Sequence, residues 1–143
     1  MALVLADQGA VQILEAYFNN SWPASKNVVV KLYTNDYTPL DSSTTASFTE
    51  ASGGGYVTKA LANGSWGQSQ VGGIEQEAFA QQTWTFTGPL DGNATIYGYF
   101  VVGNNGSGNL VWAERLGAPF TPNNNGDQLL ITPIFQMSKG TPT

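Results

Sequence analysis

Cysteine and histidine are both missing from this 143-residue sequence, and each absence removes a block of chemistry. Without Cys there is no disulfide framework, no thiolate nucleophile and no Cys/His zinc site. Without His every His-based triad is excluded, and acid–base work near neutral pH falls to carboxylates, Lys or Tyr. Charge is scarce as well: Asp, Glu, Lys and Arg make up 10 % of the chain, against ~25 % in an average soluble domain. Five basic residues against ten acidic ones leave a net charge of −5. A basic patch supplies most nucleic-acid affinity, so no nucleic acid is expected as a partner. Long hydrophobic runs are lacking too. Met1 to Ala6 is apolar but stops at Asp7, well short of the ~18 residues of a membrane helix. It also lacks the basic n-region of a secretory signal, so no membrane partner is expected.

What fills the chain is 17 Gly, many Asn, Ser and Thr, and 12 % aromatic residues. The length suits one domain with a real core. A single domain is expected over 1–143, with residues 1–6 as an N-terminal arm, a plain first strand or a helix extension, a helix over 7–19, and a C-terminal tail over 138–143. In the helix Val11, Leu14 and Phe18 recur at helical spacing, Ile13 and Tyr17 widen the stripe, and Asp7 stands where a cap would. Asn19 to Pro23 ends it.

Beyond this point the period changes to two. Val28 to Tyr33 reads as a strand, and so do Tyr56 to Leu61 and Gln82 to Thr87, the latter with Trp84 and Phe86 on one face and threonines on the other. Thr95 to Val102 is the strongest strand, with Gly98 inside it as a bulge or a close approach. The loop Gly103 to Gly108 joins it to Asn109–Leu116 as a hairpin. Asn123 to Asp127 then turns the chain into Gln128–Gln136, where Pro133 marks an edge or a bulge. Seven or eight short strands after one helix, with no helices between them, predict a mainly β fold. The class is an antiparallel β-sandwich or jelly-roll-like domain with one short N-terminal helix.

The chemistry-bearing candidates are few. Glu75 and Glu77 would share one face of a strand, and with Glu114 they are the carboxylates a glycoside hydrolase would need; solvated charges are the simpler reading. Asn123 to Asp127 and Asp91 to Asn93 are oxygen-rich, but neither has the spacing of a calcium loop and both are hairpin-turn sequences. Gly53 to Gly55 lacks the Lys-Ser/Thr and helix start of a phosphate loop. No catalytic residue, no metal and no cofactor is therefore expected. Trp84, Trp112 and Tyr97 or Tyr99 are expected in the core. Trp66, in Asn63 to Gly67, is the best candidate for an exposed aromatic contact. Arg115 is the one arginine and can bind a partner carboxylate or form a structural ion pair. Leu3 and Leu5 complete the candidate partner-contact residues.

Several segments occur here in a familiar order: Val30 to Pro39, Phe48 to Ala51, Gly55-Tyr56, Ala80 to Trp84, Ile96 to Val101, Leu110 to Arg115 and Asn125 to Asp127. In this the chain resembles a family of small β-rich proteins encoded by tailed bacteriophages, some of which are virion components. The resemblance implies a virion location and a non-enzymatic, structural role. By fold-level analogy the role is that of a capsid cement or decoration protein, with the major capsid protein as partner and a homo-oligomeric state. Few charges and many aromatics suit broad protein–protein contact surfaces. The alternative is a carbohydrate- or receptor-binding module of a head or tail appendage.

Overall fold

The computed structural model describes residues 3–21 and 24–137. The tail expected over 138–143 and the breaker pair Trp22-Pro23 lie outside the described residues. A short strand β1 (Leu3–Leu5) leads directly into α1 (Asp7–Phe18), followed by β2 (Val28–Tyr33) and, after a long loop, β3 (Lys59–Leu61). Next come the hairpin β4 (Gly67–Val71) and β5 (Ile74–Ala78), then β6 (Gln82–Thr85) and β7 (Ile96–Val102). The chain closes with β8 (Leu110–Phe120), β9 (Gln128–Ile131) and β10 (Ile134–Met137).

The fold is mainly β, and every strand pairing is antiparallel. Five strands form the main sheet in the order β1-β8-β7-β2-β3, beside a three-stranded sheet β10-β5-β4 and a two-stranded sheet β6-β9. One face of the main sheet contributes Val30, Leu32, Leu61, Val101 and Trp112 to a core shared with Trp84 and Phe86 from β6 and its extension and Ile131 from β9. These sheets thus pack face to face, as in a sandwich. The opposite face carries Tyr33, Phe100, Val102, Leu110 and Ala113, covered by Ala6 and by Phe48 of the loop after β2. Phe48 stacks on Phe100 at a centroid distance of 4.8 Å.

Alternation explains β6, whereas β2 is apolar and buried on both faces. Trp84 and Phe86 are buried while Thr85 and Thr87 are exposed, as a half-buried strand requires. In β7 the register slips between Ile96 and Gly98, so Ile96 and Tyr99, three residues apart, both reach the same core. Gly98 therefore combines the two expected features, a bulge and a close approach. A Cβ there would stand 2.5 Å from the Tyr33 ring and 2.3 Å from the Glu114 carbonyl oxygen.

Three local expectations are corrected. Asp7 is in the first turn of α1 rather than at its cap; Ala6 is the N-cap and no side chain caps the helix. Tyr56 to Thr58 stay outside β3, because Tyr56 turns its hydroxyl to the Leu32 amide (3.2 Å) and the Val57 carbonyl accepts a bond from Trp84 Nε1 (2.8 Å). The run Gln128–Gln136 is two strands in different sheets, parted at Pro133, which has no N–H to continue a ladder. The direction of the α1 stripe, which periodicity left open, is decided by the fold: Val11, Leu14 and Phe18 face outward.

Candidate functional site

The outward stripe follows from how α1 is docked. A register shift between Val101 and Val102 leaves Val111 as an extra residue in β8. Its carbonyl accepts the Ala6 amide at 3.1 Å, while the Asp7 amide donates to the Asp41 carbonyl at 2.9 Å. These two bonds set the start of the helix. The side that meets the sheet buries Gly9 and Ala16, small residues that let a helix lie close to a strand. The bulkier side chains are left outside. Val11 is 52 % exposed, Leu14 56 %, Tyr17 78 % and Phe18 74 %. An isolated helix of twelve residues is marginal, so β8 and the two terminal bonds hold α1 in place rather than its own apolar stripe.

Beside α1 an apolar groove of about 560 Å³ runs between the helix, the main sheet and the β10-β5-β4 sheet. Ile13, Val28 and Val111 line it with Trp66, Trp112, Phe135 and Met137; Asn63 and Glu77 are its polar members. It continues along α1 into a second recess of about 250 Å³ that shares Ile13, Val28, Asn63 and Val111 and reaches Gln12, Tyr17 and Asn104. The Gln12 Oε1 atom is buried there without a hydrogen-bond partner. The surface that results is an aromatic and aliphatic trough next to an exposed apolar helix face. Its lining is mostly apolar, with a few amides and one carboxylate among the described side chains.

Trp66 lies in the loop between β3 and β4 and is partly buried, edge-on to Phe79 at 5.2 Å and to Trp112 at 6.1 Å. It is thus a wall of the groove rather than a free-standing platform. Leu3 and Leu5 belong to β1, at the edge of the main sheet, where they pair with Glu114 and Trp112 of the same chain. Arg115 is engaged within the chain. Its Nη2 meets Asp36 at 2.6 Å, its Nη1 donates to the Tyr37 carbonyl at 3.0 Å, and its guanidinium lies over the Tyr97 ring at 5.3 Å. Arg115 thus makes an ion pair within the chain. The structure therefore gathers only Trp66 of the four candidates into the groove.

Two of the three carboxylates considered for hydrolysis are engaged in side-chain hydrogen bonds. Glu75, on β5, accepts bonds from Gln68 and Gln70 of β4 at 2.9 and 2.6 Å. Glu114 accepts the Tyr99 hydroxyl proton bond within the main sheet. Glu77 lines the groove among apolar neighbours. Asp127 takes the Asn123 and Asn124 amides at 2.8 and 2.9 Å, and those two bonds hold its carboxyl below the ordinary carboxylate range. The loop is thus stabilised as a turn from within. Three tyrosines are pushed up by burial: Tyr33 to about 12, and Tyr56 and Tyr99 further.

Sequence reasoning named Tyr17 only as part of the helical stripe and did not single out Val28 and Val111, which line the groove and the recess. The helical stripe was the available signal, but its periodicity does not say which face meets the sheet.

A family model described as podophage GP4 fiber I protein gp80 matches residues 5–135. No curated protein matches the chain.

Proposed function

Since the chain belongs to the podophage GP4 fiber I protein (gp80) family and is a structural protein associated with the phage virion, we propose that it is a non-enzymatic building unit of a fiber-like appendage. It works by contact. The observation that carries this reading is the family match across residues 5–135. The outward apolar face of α1 beside an apolar groove agrees with it, because contact cores are enriched in aromatics and poor in charge. A compact unit of this size has a radius of gyration of roughly 15 Å. An elongated appendage built from such units would be held together by contacts between them. A fiber family also favours an appendage over the capsid-cement role that analogy alone suggested.

Imaging of the intact particle by cryo-electron microscopy tests the proposal. The expected result is density for this chain in an appendage. Copies spread over the shell and seated on the major capsid protein would overturn it in favour of a cement or decoration role.

One observation favours a second reading, receptor binding: Trp66 shares the groove with Asn63 and Glu77, an aromatic wall with hydrogen-bonding groups beside it. Glycan-array binding that disappears in Trp66→Ala would support this; an array with no signal for the parent protein would remove it.

A further inference from the structure

We infer that the exposed face of α1 is covered by α1 of a second copy of this chain. Val11, Leu14 and Phe18 are spaced three and four apart, which is the a/d seam that packs against an identical seam. All three are more than half exposed, and Tyr17 widens the seam on one side with its ring edge-on to Phe18 at 5.2 Å. Among the described residues the seam stays exposed, because Gly9 and Ala16 on the other side make the contact with the sheet. Large aromatic side chains carry about 150–250 Å² each. With Val11 and Leu14 the patch then offers on the order of 400 Å² of mostly apolar surface, about half of the ~800 Å² per partner of a stable contact. The adjoining recess, reached through Tyr17, and the groove beyond it extend the same surface toward Met137, itself 52 % exposed. A second copy suits the patch because the seam is complementary to itself. The inference rests on α1 alone and not on where the particle carries the chain.

The sequence allows a direct test, since it has no cysteine. Leu14→Cys places a single thiol at the centre of the seam, and Val57→Cys places one at an exposed site elsewhere, where Val57 is 59 % exposed. Under mild oxidation Leu14→Cys should give a disulfide-linked dimer in high yield, and Val57→Cys should not. Light scattering of the parent protein should show a dimer or larger assembly. Leu14→Glu should shift that assembly to monomer by tenfold or more in dissociation constant, with an unchanged circular dichroism spectrum. A parent protein that stays monomeric at all concentrations overturns the inference. So does equal cross-linking of both thiols, or a Leu14→Glu protein that remains folded and fully associated. Any of these would leave the appendage assignment standing, since that assignment is read from the particle.

Discussion

Gly9 rests on the backbone of Val111: a Cβ at Gly9 would stand 2.3 Å from the Val111 carbonyl oxygen and 2.8 Å from its Cα. This contact joins the bulge of β8 to the first turn of α1, and it brings the helix as close to the strand as two backbones allow. The direction in which α1 turns its apolar stripe follows from it.

Gly9→Ala is expected to destabilise the protein by about 1–3 kcal/mol, the usual cost of forcing extra volume into a packed contact. The obstacle is backbone, so no side chain can rotate away. Alanine is otherwise the better helix former, and a stabilised variant in chemical denaturation would show that α1 does not sit on β8 in solution.

Gly98→Ala meets the Tyr33 ring and the Glu114 carbonyl at once. Displacing Tyr33 would disturb its hydroxyl bond to the Tyr37 carbonyl (3.1 Å), the same acceptor that holds Arg115. A loss of ~2 kcal/mol or more is expected. A melting temperature within a degree or so of the parent would contradict the packing described.

Alkaline pH should unfold the protein through its buried tyrosines. Burial raises Tyr33 from 10.0 to about 12 and raises Tyr56 and Tyr99 further. The unfolded chain therefore releases these protons first. Their stabilisation is complete below pH 10 and is lost as pH rises through the folded values. Of the six tyrosines, a spectrophotometric titration should show a late-titrating class that ionises together with loss of near-ultraviolet dichroism. A single transition for all tyrosines near pH 10 with the fold intact would contradict this.

Asp127→Asn probes the turn before β9. The native carboxyl is held below its ordinary value of 3.8 by the Asn123 and Asn124 amides. Its contribution is thus present above that value and lost as pH falls through the folded one. The variant should melt earlier than the parent at neutral pH, and the two should converge in acid. A difference that does not change with pH would assign the effect to something other than the charge.

Much of the fold was legible in the sequence. Val28–Tyr33 is β-branched and forms β2 with the boundaries its pattern implies, and Trp84 and Phe86 alternate with threonines because one side of that segment is buried. Glycine- and asparagine-rich stretches marked the turn between β7 and β8 and the turn before β9. The hairpin of β4 and β5 was not legible: Gln68, Ser69 and Gln70 are exposed and carry no hydrophobic alternation, and their pairing with β5 is a matter of backbone and amide bonds.

The sequence by itself determined the class of chemistry and the class of fold. Without His or Cys it has no thiolate, Cys/His-metal or His-triad chemistry, and its period-two apolar pattern made it antiparallel β. Tertiary structure alone decided which side of α1 faces inward. Helical periodicity names two faces but not their neighbours, and Gly9 and Ala16 look like gaps in a stripe until a bulged strand is placed beneath them. Close backbone approach then outweighs the larger side chains, which are left outside. The groove arose in the same way, from Trp66, Val111 and Phe135, which are far apart in sequence and meet only where three elements converge.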